Sequence, residues 1–93
     1  MLGTMSYWVL EYDYTDMDAR AAARPDHLAY MTGLHEQGVC VMAGPIGEGA
    51  GAMGVFRADS EEAVREVIAG DPYTAAGAAG NHRIRPWNAV IGG

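Results

Sequence analysis

The first patterned stretch runs from Ser6 to Tyr14, S-Y-W-V-L-E-Y-D-Y, and its aromatic and aliphatic residues favour a strand. Alternation places Trp8, Leu10 and Tyr12 on one face and Tyr7, Val9 and Glu11 on the other. Apolar groups on both faces predict a strand central in its sheet. After the polar bend T-D-M-D, Ala19 to Gln37 is rich in alanine and leucine and reads as helix. Pro25 complicates that helix, because an interior proline removes a hydrogen bond and clashes with the preceding turn. Either the helix kinks there, or a lead-in turn ends and the main helix starts with Pro25 in its first turn. Leu28, Met31, Leu34 and His35 then follow helical spacing, and Gly38 is the expected stop.

Val39 to Ala43 is a short apolar run bounded by Gly38 and Gly44-Pro45, which predicts a buried strand. A loop from Gly44 to Gly51 leads to a further strand, Met53 to Ala58, and two strands joined this way predict an antiparallel hairpin. Asp59-Ser60-Glu61-Glu62 opens a second helix, since Ser60 can accept from exposed amides and the glutamates lie at the positive end of the dipole. Ala63, Val64, Val67 and Ile68 form its apolar stripe, and Gly70 ends it. Asp71-Pro72 repeats the start chemistry for a short helical turn towards Ala79. Arg83 to Ile91 reads as the last strand, and Pro86 within it places that strand at an edge. The order is β-α-β-β-α-β, hence an α+β, ferredoxin-like fold with an antiparallel four-stranded sheet and helices on one face. The other face would stay partly uncovered, and a second copy of the chain is its simplest partner, so a homodimer is expected.

The 93 residues are read as one domain spanning 1–93. A chain this short buries only about two-thirds of the surface its unfolded form exposes, which adds to the case for a partner copy. Twelve acids against six bases give a formal charge of -6, and all the bases are arginines. That balance repels phosphate backbones and anionic membranes, so neither nucleic acid nor a lipid surface is an expected partner. Met1 to Thr4 lack the charged start and apolar run of a leader, and no stretch approaches the roughly 20 apolar residues of a membrane span. A soluble, cytoplasmic chain is expected.

Gly49-Ala50-Gly51-Ala52-Met53-Gly54 spells G-x-G-x-x-G, but dinucleotide binding needs a helix directly after it, and here a strand follows. A hairpin loop with a close backbone approach is the expected reading. Cys40 sits in an apolar strand with nothing basic beside it in sequence, which describes a buried thiol and not a nucleophile. His27 and His35 lie about 12 Å apart along a helix axis, too far to share one metal. With no tight ligand cluster, neither a metal nor a bound cofactor is expected. His35 is read as interacting with the helix dipole and solvent, and His82 as a surface residue. Asp71 suits an N-cap equally well as an active site. Pairing it with His27 would be chemically attractive, because imidazole titrates near neutrality and a carboxylate fixes its tautomer. Spacing alone does not bring the two together.

Four segments resemble the YciI-like (YCII-related) proteins: Arg24-Pro25-Asp26-His27-Leu28-Ala29-Tyr30, Ala43-Gly44-Pro45, Asp71-Pro72-Tyr73-Thr74-Ala75-Ala76-Gly77 and Arg85-Pro86-Trp87. The match runs in order from about Ser6 to Val90. It implies a dimer of the dimeric α+β barrel type and an active site of one histidine and one aspartate, which by motif fall on His27 and Asp71. Ala78-Ala79-Gly80 depart from the bulkier apolar residues expected after the D-P-Y-x-x-A-G motif. One activity characterised in the family is dehydrochlorination of a chlorinated hydroxyhydroquinone, and fold relatives include muconolactone isomerases, cofactor-free monooxygenases and small polyketide cyclases.

The expected function is therefore a cofactor-independent lyase or isomerase, dehydrochlorinase-like, acting on a small hydroxylated cyclic or aromatic substrate. His27 would be the general base and Asp71 would hold its imidazole. Arg24, one turn earlier, would pair with an anionic or enolate oxygen, and Tyr30, three residues later, would donate a hydrogen bond. Gly44, Pro45 and Tyr73 complete the expected substrate contacts. A non-catalytic dimeric small-molecule-binding or accessory protein, and a cofactor-free monooxygenase or polyketide cyclase, are the alternatives.

Overall fold

The computed structural model describes residues 6–92. Met1 to Thr4, on which the leader reading fell, lie outside them. The strand β1 (Ser6–Tyr14) has a partner on each side, as its two apolar faces require. On one side it pairs antiparallel with β3 (Gly51–Ala58), and on the other with β4 (Ala79–Trp87). A fourth strand, β2 (Cys40–Ile46), pairs with the outer side of β3, giving the order β2-β3-β1-β4. This is the ferredoxin-like arrangement, with a helical crossover between β1 and β2 and another between β3 and β4.

The crossovers are α1 (Met17–Glu36) and α2 (Glu61–Gly70), the latter followed by one short helix, α3 (Pro72–Ala75). α1 starts earlier than its alanine content suggests, because Asp16 caps it by accepting from the Ala19 amide at 3.0 Å. Pro25 lies in its interior, so the helix does not start there. The missing amide leaves the Ala21 carbonyl without its helical donor. Ala21 and Pro25 are both exposed, so water can serve that carbonyl and the fault is tolerated. Ser60 caps α2 as expected, accepting from Ala63 at 3.2 Å.

One face of the sheet and the helices share the core. Leu10 and Tyr12 of β1 and Ala52, Phe56 and Ala58 of β3 are buried there with Val64 of α2 and Tyr73 of α3. Fully burying a side chain such as Phe56 or Val64 stabilises the fold by roughly 1.5–3 kcal/mol. α1 contributes only partly buried residues, among them Met31 and Leu34. The other face carries Tyr7, Val9 and Met53, and the exposed Met42 and Trp87.

Several expected strand boundaries move. β2 runs on through Gly44-Pro45 to Ile46, so the loop shrinks to residues 47–50, and an edge strand accommodates the proline because its outer side has no ladder to interrupt. β4 begins at Ala79 and ends at Trp87, so residues 88–91 are not strand. Its position at the edge, with Pro86 opposite Trp8, is as the sequence predicts. The glycine fingerprint belongs mostly to β3: Gly49 turns at φ +85°, Gly51 passes against the Tyr12 backbone, and Gly54 lies under the Phe56 ring.

The sheet contains two register shifts. Between Cys40 and Met42 an extra residue, Val41, inverts the alternation of β2. Ala43 and Pro45 then pair with Gly54 and Ala52 on the helix side, while Met42 turns outward and is 66% exposed. Between Glu11 and Asp13, β4 sets Asn81 and His82 against the single residue Tyr12, with Asn81 at φ 52°.

Candidate functional site

Asp71 links α2 to α3 and adopts an extended backbone that makes it the N-cap of α3. Its Oδ1 accepts from the Tyr73 amide at 2.9 Å. The same oxygen lies 2.7 Å from Nδ1 of His27, which α1 supplies from 44 positions earlier in the chain. The N-cap and the histidine contact are thus one arrangement, because a single carboxylate oxygen serves both. The Tyr73 ring lies flat on the His27 imidazole, with centroids 3.7 Å apart and planes at 5°. Tyr73 is 2% exposed, so the imidazole rests on a fixed platform. A carboxylate only accepts, so Nδ1 carries the proton of this contact, and in the neutral imidazole Nε2 then holds the lone pair.

This pair lines a cavity of about 220 Å³ between α1 and the sheet. Its floor is Leu10 and Tyr12 of β1 with Ala52, Gly54 and Phe56 of β3. Ala43, Gly44 and Pro45 form the β2 side, which is the consequence of the extra residue at Val41. The cavity also explains why α1 buries no residue fully: Arg20, Arg24, His27, Leu28 and Met31 face this space. For scale, an apolar hole of about 150 Å³ takes up benzene. The cavity therefore has room for one substituted six-membered ring.

Of the expected site residues, His27, Asp71, Arg24, Gly44, Pro45 and Tyr73 all line this cavity. Tyr30 does not. Its hydroxyl donates to the Val67 carbonyl at 2.8 Å, and a Cβ on Gly70 would stand 2.7 Å from it. Three residues beyond His27 is about 60° round the helix, enough to turn Tyr30 from the cavity to α2. It ties α1 to α2 instead of touching a substrate.

Sequence reasoning missed several cavity residues. Arg20 precedes Arg24 by one helical turn and shares its face, a spacing that could have found it. His82 is not a free surface residue: it lines the cavity with its ring 5.3 Å from that of Tyr12. Its parity with the inward Ile84 was the available signal. Burial pushes the His82 imidazole below its ordinary value, against a weaker pull upward from Asp71. Burial, with Tyr14 and Asp71 adding to it, pushes the Tyr12 phenol well above its ordinary value. Tyr12 therefore stays a protonated hydrogen-bond donor at any physiological pH. His35 is exposed in the last turn of α1, as expected, and its Nδ1 also lies 2.8 Å from the Cys40 carbonyl, which ties the end of α1 to β2. Burial pushes the Cys40 thiol up, away from the reactive thiolate. Among the described residues no three His, Cys, Asp or Glu side chains gather as a metal site. Among the same residues no helix is long and apolar enough to cross a membrane.

Comparison with known proteins identifies relatives of the chain. The chain is 31% identical to Protein YciI of Escherichia coli O6:H1 over 98 residues, covering 94% of this chain and all of the relative. The Shigella flexneri Protein YciI matches equally. Over 83 residues it is 36% identical to the Emericella nidulans "Derivative of benzaldehyde biosynthesis cluster protein C", covering 75% of this chain and 85% of that one. Among solved structures, the 5-chloro-2-hydroxyhydroquinone dehydrochlorinase of Burkholderia phenoliruptrix AC1100, in complex with 2,5-dihydroxybenzoquinone, superposes with a TM-score of 0.72. That match covers 87% of this chain and 93% of that one at 24% identity, and it shows the shared fold. The model of the YCII-related domain matches residues 5–88, and with the relatives above it establishes that this chain is a member of the YCII-related family.

Proposed function

We propose that the chain is a cofactor-independent lyase or isomerase that moves a proton on a small hydroxylated cyclic or aromatic substrate. The observation that carries this reading is the 2.7 Å contact of His27 with Asp71 at the wall of a ring-sized cavity. His27 Nε2 takes a proton from a ring hydroxyl or an acidic ring carbon, and Asp71 stabilises the imidazolium that results. Tyr12 donates to the oxyanion that develops. Where the substrate carries a halide, the imidazolium first delivers that proton to the halogen-bearing ring carbon, which becomes sp³; His27 then takes a proton from a conjugated hydroxyl, the O–H pair becomes a C=O, and chloride leaves with the C–Cl pair. The imidazolium returns its proton to solvent. Support comes from the relatives, one a dehydrochlorinase of a chlorinated hydroxyhydroquinone and one named for a benzaldehyde-derivative cluster.

The test is incubation of the chain, under argon and in D₂O, with 5-chloro-2-hydroxyhydroquinone and a panel of hydroxylated rings. Chloride release or deuterium entry into a ring carbon, read by ion electrode and mass spectrometry, is the expected result. Ligands that bind but are returned unchanged and undeuterated would leave the non-catalytic binding reading. Product that appears only on admitting oxygen would point to a monooxygenase.

A homodimer is part of the same proposal. Tyr7, Val9, Met53, Met42 and Trp87 lie on the sheet face away from the helices, and Met42 and Trp87 are 66% and 47% exposed. A second copy stacked on that face would remove them from water. Light scattering at micromolar concentration should give twice the 9.9 kDa chain mass, and a monomer would refute the dimer.

A further inference from the structure

We propose that the substrate is an anion, a ring bearing a carboxylate or an equivalent oxyanion, and that Arg20 and Arg24 together hold the charged group. The inference rests on the proposed function only for the place where the substrate sits. Acids outnumber bases two to one in this chain, so an arginine has ample carboxylates to pair with. Arg65, Arg83 and Arg85 each take one, from Glu61, Asp13 and Glu11. Arg20, Arg24 and the exposed Arg57 take none among the described residues, and of these three only Arg20 and Arg24 line the cavity. Asp71 lines it too, but its Oδ1 is engaged by His27 and by the Tyr73 amide.

Arg20 carries the stronger mark. Its Nε is buried and has no hydrogen-bond partner. Leaving such a donor unmet is costly, so it calls for a partner that the chain itself does not supply, and an oxyanion in the cavity would be one. The guanidinium carbon of Arg20 lies 4.4 Å from the centre of the Tyr14 ring. The Tyr14 ring thus holds the Arg20 cation beside the cavity. Arg20, Arg24 and His27 follow one another at helical spacing on one face of α1. Arg24 precedes His27 by about 4.5 Å along the axis. A ring anchored at the arginines would therefore present its far side to Nε2 of His27. With a net charge of -6 the chain as a whole repels anions, so selection for one must come from these two local cations.

The test compares matched ligands by titration calorimetry and ligand-observed NMR. Benzoate, 2-hydroxybenzoate and cyclohexanecarboxylate are set against benzyl alcohol, 2-hydroxybenzyl alcohol and cyclohexylmethanol. The carboxylates should bind at least about tenfold more tightly than the alcohols, as a charge-assisted contact predicts. Arg20→Gln should abolish most of that preference without weakening the alcohols, and Arg20→Lys should restore part of it. A merely structural Arg20 would shift both ligand sets together, and circular dichroism on each variant separates that from unfolding. Equal affinity for the two sets, a preference that survives Arg20→Gln and Arg24→Gln, or no carboxylate binding at millimolar concentration would overturn the proposal. Because the readout is binding, loss of turnover in a His27 variant with the carboxylate preference intact would leave it standing. A carboxylate preference with no turnover by the wild-type chain would defeat the proposed catalysis alone.

Discussion

His27→Ala should lower turnover of any ring compound the wild-type chain converts by about a hundredfold or more, the usual share of a positioned acid–base group. The fold should persist, because the substitution leaves Asp71 capping α3 through the Tyr73 amide. Asp71→Asn makes the sharper companion. An asparagine oxygen can still accept from that amide, so the cap survives. The same oxygen position faces Nδ1 of His27, so the tautomer survives too, and what is lost is the negative charge that stabilises the imidazolium. Turnover should fall into the same range of about 10²–10⁴, while the melting temperature moves little. Asp71→Ala removes the cap as well and should cost about 1 kcal/mol of stability in addition. Steady-state kinetics with thermal unfolding on the three variants separate these outcomes. Near-normal turnover in His27→Ala would eliminate proton transfer by this pair.

The local chemistry of the chain is what made its elements legible. Ser60 and Asp71 read correctly as helix starts because a cap is a contact within three residues, and both contacts are present. The central place of β1 followed from apolar residues on both of its faces. Non-local features were not legible. No pattern in Val39 to Ala43 reveals that Val41 is an extra residue, since a bulge is defined only against a partner strand. That one residue decides whether Met42 or Ala43 faces the cavity, and hence whether there is room for a ring. His82 was lost for a similar reason: a strand begun at Arg83 leaves it outside, whereas the sheet bends to include it. The contact of His27 with Asp71 depends on α1 packing on α3, and periodicity carries no information about partners 44 positions apart. Only the family motif named the two together, and neither cap chemistry nor helical spacing would have done so.

The largest effect on stability is expected at Gly51, which the G-x-G-x-x-G pattern would assign to a nucleotide. Gly51 opens β3 opposite Asp13, and a Cβ there would drive into the backbone carbonyl of Tyr12. The obstacle is main chain, so no rotamer change relieves it. It also belongs to an inner strand, β1, with β3 on one side and β4 on the other. β1 cannot retreat without losing ladder hydrogen bonds to one of them. Overpacking a core typically costs about 1–3 kcal/mol, and a clash with paired backbone belongs at or beyond the upper end. A chain of this length has roughly 5–14 kcal/mol to lose. Gly51→Val should therefore lower the urea midpoint sharply at an unchanged slope, which marks lost stability and not an altered unfolded state. It should also disturb the cavity, whose floor includes Tyr12 and Ala52 on either side of the clash. Gly44→Ala is the control: it too is a strand glycine, but nothing lies within 4 Å of where its Cβ would be. Its stability should stay within about 0.5 kcal/mol of the parent. If the two variants unfolded at the same urea concentration, close packing against β1 could not be the reason for glycine at position 51, and the nucleotide reading of that loop would have to be reopened.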